Sequence, residues 1–316
     1  MAETVESAHV KEIQQVEAGI DYDVQLESLS QWQLAWRRFK RHRMAVIGSA
    51  MFFTMVAIGV IGPFLLPFDF YNVPTPDVIV GAGRPPALVP FRPFGETGSL
   101  QLDVFTLVVN GTRWSLLIAV IATLISAILG TFVGGVAGFY GGRLDSVLMR
   151  AVDALLALPL LFVILIFTRF LGSGSWVSVT LIFGVFGWLI VARLVRSLML
   201  SLREEEYVDA ARAAGVSTPR IIFRHLLPNA LSPIIVVSTL GIASVIIGEA
   251  FVSYLGYGVG NDTPTLGNIL AGSLQFVSQG KWWWAIFAGT AIVIIVLGFN
   301  FMGDGLQDAL DPRSKL

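Results

Sequence analysis

Hydrophobic residues fall along this chain in long continuous runs, without the regular polar interleaving of a water-soluble fold. A window of about 20 residues, the helix length that crosses a bilayer core, picks out about six of these runs, near residues 44–66, 114–139, 146–171, 176–200, 229–250 and 283–302. Between the fourth and fifth the pattern breaks into a long polar interruption, residues 203–228. Its spacing predicts two short helices around a break. Tyr207, Ala210, Ala211 and Ala214 recur at i, i+3, i+4 and i+7, which gives one small, flat helical face beside a charged one. Gly215 can adopt the left-handed conformation that ends a helix, and Ser217 or Thr218 before Pro219 is a start signal for the next. Pro228 then punctuates entry into another apolar run.

The polar segments outside these runs differ in character. The amino-terminal arm, 1–43, is polar and mixed in charge. It closes on Trp32, Trp36, Arg37, Arg38, Phe39, Lys40, Arg41 and Arg43, an aromatic and basic cluster suited to lipid headgroups. A Pro- and Gly-rich loop covers 67–110. A second long segment covers 251–282, with Gly256, Gly258, Gly260, Pro264 and Gly267 ahead of Trp282, Trp283 and Trp284, which suit an interface belt. Its first part, 251–270, is too broken for a full span and reads as a re-entrant or surface-lying piece.

Composition agrees with a polytopic membrane protein of the all-α class: 55% hydrophobic and 14% charged residues, with a mean hydropathy of +0.74. A net charge of -1 gives no reason to expect nucleic acid as a partner. Of the 21 lysines and arginines, only Arg84, Arg92, Arg113, Arg169 and Lys281 fall on or near one face of the six-span arrangement. The rest gather on the other, which the positive-inside rule assigns to the cytoplasm. Both termini, the 203–228 segment and the 306–316 tail are therefore expected inside (N-in, C-in), and the 67–110 loop outside.

Several chemistries are excluded. The chain has no cysteine, and its three histidines form no ligand pair at metal spacing. It lacks a Gly-x-x-x-x-Gly-Lys-Ser/Thr phosphate loop, a His-Glu-x-x-His motif and a Gly-x-Ser-x-Gly motif. No cofactor or metal is expected on this chain, which is not expected to be an enzyme. Charges within the runs are few: Asp153, Arg169 and Glu249, each expected near a span end and in reach of water or headgroups. Gly130, Gly134, Gly138 and Gly142 recur at steps of four along the second span, a small-residue stripe for helix packing.

The acid-Ala-Ala triplet Asp209-Ala210-Ala211, Gly215 four residues after its second alanine, and Leu227-Pro228 about a dozen residues later resemble the EAA loop of bacterial ABC-importer permeases. Other stretches resemble the C-type permease subunit of the peptide/opine/nickel (dipeptide and oligopeptide) uptake family. They are Trp32-x-x-x-Trp36-Arg-Arg-Phe39, Arg43-Met-Ala-Val-Ile-Gly48, Phe94-Gly95, Asp103-Val104-Phe105 and Gly111-x-Arg113-x-Ser115-Leu116. Gly138-Phe-Tyr-Gly-Gly-Arg-Leu-Asp145, Met149-Arg150-x-x-Asp153, Leu158-Pro159, Arg193-Leu-Val-Arg196 and Leu202-Arg203 continue the match. Arg224-His-Leu-Leu-Pro-Asn229, Glu249-Ala250, Ser253-Tyr-Leu-Gly256 and Gly303-Asp-Gly-Leu-x-Asp-Ala-Leu-Asp-Pro312 complete it. Two positions depart: Asp209 stands where the family usually has Glu, and Gln101-Leu102 where it has Gly-Arg.

The resemblance implies the type I ABC importer permease fold, with a permease core over 111–305. It also implies residence in a bacterial or archaeal cytoplasmic membrane. The expected partners are a homologous B-type permease subunit, two ABC ATPase subunits or domains that bind ATP and Mg, and an extracytoplasmic solute-binding protein. In this family the EAA loop seats in a groove of the ATPase, so Glu206, Tyr207, Asp209, Ala210, Ala211, Ala214, Gly215, Leu227 and Pro228 are the expected ATPase-coupling residues. Di- and oligopeptides are the default cargo, with oligosaccharides and nickel chelates as alternatives. A secondary transporter or channel is the rival class. It should show broken mid-membrane helices with paired charges and would have no use for an alanine-faced polar loop.

Overall fold

A computed structural model of the chain describes residues 31–65, 85–86, 93–97, 102–171 and 174–310. The arm through residue 30, most of the 67–110 loop including Gln101, and the tail from 311 lie outside the described residues. Helices dominate: α1 (Gln31–Arg41), α2 (Arg43–Leu65), α3 (Val104–Tyr140), α4 (Gly142–Leu156), α5 (Leu160–Leu171) and α6 (Trp176–Leu202). After the polar segment's α7 (Glu206–Ala213) and α8 (Thr218–Ile221) come α9 (Leu227–Tyr254), α10 (Leu266–Val277) and α11 (Trp282–Leu310).

Five helices among the described residues are long and apolar enough to cross a membrane, or six if the bent pair α4 and α5 counts as one. That pair corrects one expectation. Residues 146–171 read as a straight span, but the chain turns by 86° between α4 and α5. Pro159 explains the break, because its ring disfavours helical geometry at Leu158 and removes a backbone N–H. A second difference lies at the start of α3, which begins at Val104 rather than near Trp114. Asp103 caps it: its carboxylate accepts from the Thr106 N–H at 2.8 Å and the Thr106 hydroxyl at 2.7 Å. A hydropathy window finds where lipid contact begins; the cap decides where the helix begins.

α2 packs on α11 so closely that a Cβ on Gly48 would lie 2.6 Å from that of Phe301. The main core joins α3, α9, α10 and α11 through Leu107, Ile246, Leu266, Ile269, Ile295 and Phe299. A second cluster joins α3, α5, α6 and α9 through Ile118, Ile164, Ile182, Phe183 and Val252. α3 and α6 run side by side in the same direction, as the parallel progression from Gly130 beside Val191 to Gly138 beside Met199 requires. α9 runs the other way, and α11 returns. Ala45 and Ala309, at the start of α2 and the end of α11, share one small cluster with Phe39 of α1. The described chain thus enters and leaves at the end that carries residues 203–228. The re-entrant reading of 251–270 resolves into a turn and then α10, 12 residues long, about 18 Å and too short to span.

Candidate functional site

The 203–228 segment folds as its spacing predicts. α7 ends at Ala213 with Ala214 as its C-cap, and Gly215 turns the chain with φ +73°. Its Cβ position is open, with nothing within 4 Å, so backbone conformation alone demands glycine here. Ser217 takes the extended geometry of an N-cap, and Pro219 lies in the first turn of α8.

The expected alanine face divides in two. Val208 is fully buried, and Ala211 and Val216 pack with it against Met199, Ile221, Leu226 and Ala230. Tyr207, Ala210 and Ala214 face outward and are exposed. Of the four positions read as one face, Ala211 is half-buried and leans on the Val208 cluster. Helical period places 207, 210, 211 and 214 on one side, but the valine between them decides which edge turns inward. Glu206 and Asp209 are exposed, and Arg212 binds Asp209 at 3.0 Å.

Arginines fasten this segment to the bundle. Nη1 of Arg203 donates to the carbonyls of Gly138 and Phe139 at 3.2 and 3.3 Å, which occupies acceptors left free at the end of α3. The Arg212 guanidinium lies 6.0 Å from the centroid of the Phe139 ring. Close by, Arg196 grips Asp145 with two bonds at 2.6 and 2.7 Å, and Arg193 reaches Asp153. These pairs join α6 to α4 through a bidentate contact, the stronger kind. Sequence reading missed them, although the signal was present: acids in 145–153 and arginines in 193–203 both sit at the polar-loop end of their runs.

Leu227-Pro228 does not interrupt the chain. Thr218–Tyr254 is one 37-residue helical rod, widened to a π turn at Ile222–Leu226. Pro228 has no N–H for the carbonyl four residues back, and its ring would strike that carbonyl. The wider turn accommodates it: the Leu227 N–H donates to the Ile222 carbonyl, five residues back. Asn229 ties the turn to α7, its side-chain amide donating to the His225 carbonyl at 2.8 Å and to the Tyr207 hydroxyl at 3.3 Å.

Three of the four glycines at steps of four lie against α6. A Cβ on Gly130 would stand 2.5 Å from that of Val191, one on Gly134 would overlap the Ala192 carbonyl, and one on Gly138 would stand 2.6 Å from the Arg196 carbonyl. Gly142 is the exception. It lies past the end of α3 with φ +58° and nothing within 4 Å of its Cβ position, so it is a turn residue. Of the three charges read near span ends, Arg169 and Asp153 are exposed, whereas Glu249 is buried at 1% exposure. Water access was the wrong expectation for Glu249. α10 folds back over it, and two hydroxyls take the place of solvent.

Comparison with known proteins places this architecture. Residues 126–316 match the family described as binding-protein-dependent transport system inner membrane component. Residues 30–84 match the N-terminal TM domain of oligopeptide transport permease C. The dipeptide transport system permease protein DppC of Bacillus subtilis is 38% identical over 292 residues, covering 92% of this chain and 89% of that protein. The oligopeptide transport system permease protein OppC of the same organism is 33% identical over 298 residues, covering 94% and 95%. Among solved structures, an inward-facing MetNI methionine ABC transporter shares the fold with a TM-score of 0.53 at 21% identity, over 65% of this chain and 96% of the other. With glycine-packed spans, a bundle-anchored polar segment and these relatives together, the chain belongs to the binding-protein-dependent inner-membrane permeases of ABC importers, in the dipeptide and oligopeptide permease group.

Proposed function

We propose that this chain is one of two permease subunits of an ATP-driven importer of di- and oligopeptides, and that residues 203–228 couple it to separate ATPase subunits. The observation that supports this most is the mounting of α7. Just ahead of it Arg203 fastens the end of α6 to α3, Arg212 of α7 itself lies over Phe139 of α3, and Val208 and Ala211 pack it on the start of α9, while Tyr207, Ala210 and Ala214 are left facing out. A helix held on one side and presenting two alanines beside one tyrosine on the other is suited to a groove and to passing on its movement without bending. Asp209 and Glu206 would meet the rim of that groove, and Gly215 and Leu227-Pro228 set the aim of the lever.

On this reading α7 and both termini face the cytoplasm of a bacterial or archaeal cell. The homologous B-type permease completes the path, a solute-binding protein delivers cargo from outside, and ATP and Mg are held by the ATPases. Reporter fusions check the orientation. Those after Leu316 and near Thr218 should report the cytoplasm, and one near Ala82 should report the outside. Finding Ala82 and Thr218 on one side would overturn the arrangement.

Reconstitution tests the function. The purified chain should hydrolyse no ATP. Liposomes holding it with its B-type partner and ATPases should take up labelled dialanine only with ATP inside and binding protein outside. Uptake of an oligosaccharide or a nickel chelate instead would reassign the cargo, and uptake driven by an ion gradient without ATP would reassign the class.

A further inference from the structure

An extended polar cluster among the described residues lies at the opposite end from residues 203–228, around Glu249. Oε1 of Glu249, near the end of α9, accepts the Ser253 hydroxyl at 2.7 Å and the Thr265 hydroxyl at 2.8 Å. Thr265 is the N-cap of α10. Its oxygen also accepts the Asn268 N–H at 3.2 Å, and its own N–H donates to Asn268 Oδ1 at 2.9 Å. The Asn268 amide nitrogen then donates to the carbonyls of Val259, Gly260 and Thr263. A single carboxylate oxygen therefore joins the end of α9 to the cap of α10, and through that cap to the whole turn between them.

Backbone contact reinforces the joint. A Cβ on Gly267 would lie 2.6 Å from the Ala250 Cα, so α10 meets α9 main chain to main chain beside Glu249. Ser253 and Asn268 also line an open cleft with Gly256, Gly258 and Gly260. At its other end, the rod that carries Glu249 begins at Thr218, five residues after the end of α7 at Ala213.

We propose that Glu249 is a positioning residue: it makes α9 and α10 move as one body, so that displacement of residues 203–228 reaches the outer mouth through the Thr218–Tyr254 rod. The proposal rests on the transport reading above. Two hydroxyl protons converging on one oxygen inside an apolar bundle form a directional joint, and losing the acceptor leaves both donors buried without a partner. Packing alone would hold α10 near α9 without fixing its angle.

The test uses the full complex in liposomes, with dialanine as cargo. The chain has no cysteine, so with cysteine-free partner subunits spin labels on cysteines introduced at the exposed Tyr254 and Leu274 report the α9–α10 distance. In the wild type this distance should stay the same with and without ATP. Glu249→Ala should broaden it, and should lower dialanine uptake about tenfold while ATP hydrolysis stimulated by the binding protein persists. Glu249→Gln, whose carbonyl oxygen can still accept both hydroxyls but whose amide replaces the oxygen beside Gly267, should recover uptake and distance together above the Glu249→Ala level.

Should Glu249→Ala not assemble, the Thr265 pair decides. Thr265→Val, equal in shape but without the hydroxyl, should uncouple uptake from hydrolysis, and Thr265→Ser should not. Normal uptake with an unchanged distance in Glu249→Ala, or in Thr265→Val, would overturn the joint and leave the transport reading intact. A wild-type complex with no stimulated ATP hydrolysis would overturn both.

Discussion

Gly215→Val should leave the protein inserted in the membrane and cut stimulated ATP hydrolysis and uptake together. The residue turns the chain at φ +73°, where an L side chain costs about 1–2 kcal/mol and a β-branched one more. No neighbouring atom lies within 4 Å of the added Cβ, so relief comes only by re-aiming α7, which moves Tyr207, Ala210 and Ala214 off their line. A strain of that size shifts a docking equilibrium roughly tenfold. Ala210→Glu should act at the same step by a different route, since it adds bulk and charge to the bare outward face and leaves the Val208 cluster untouched. Ala211→Glu is the harsher change. It forces a carboxylate into packing with Val208 and Met199 and should lower folded yield as well. Asp209→Glu, one methylene longer on an exposed position, should be mild. The measurement is co-purification of the ATPases with stimulated hydrolysis. Wild-type values for both Gly215→Val and Ala210→Glu would remove residues 203–228 from the coupling path.

Gly134→Val should have a larger effect on stability than any other single change in the stripe. The added Cβ would run into the Ala192 backbone carbonyl, and neither helix can give way. α6 is pinned near its end by Arg196 on Asp145, and α3 by Arg203 on its terminal carbonyls. Overpacking of a fixed contact costs about 1–3 kcal/mol, and a backbone obstacle puts this case at the upper end. Thermal unfolding of the isolated chain in detergent should show a clear fall. Gly135→Ala, one position along with nothing within 4 Å of its Cβ, should be neutral or raise stability by up to about 1 kcal/mol through helix propensity. Equal melting of the two variants would mean that α3 and α6 are not locked at this contact.

Much of the molecule follows from local rules that a linear chain carries openly. The apolar runs are long because a lipid-crossing helix must satisfy its own backbone, so five of the six come out near their observed places. Gly215 declares its turn because few other residues tolerate it, and the stripe at Gly130, Gly134 and Gly138 declares a close contact because small residues in a row serve little else. Even Asp103 and Thr106 carried a readable cap, which a hydropathy window is blind to.

Other features belong to the tertiary structure alone. Pro159 announces a boundary, but the 86° turn is set by what α4 and α5 pack against. Helical period puts Ala211 beside Ala210 and Ala214; only the cluster around Val208 determines that Ala211 faces inward and the other two outward. Gly142 continues the four-residue step in sequence yet leaves the stripe, because the helix that carries the step has already ended at Tyr140. Glu249 shows the difference most sharply. A carboxylate near a span end reads as a group in reach of water, since sequence records position along one helix. Its burial is produced by α10, whose cap supplies a hydroxyl and whose Gly267 permits the approach. Which groups surround a side chain is a property of helices far apart in the chain, and it is settled only when they pack.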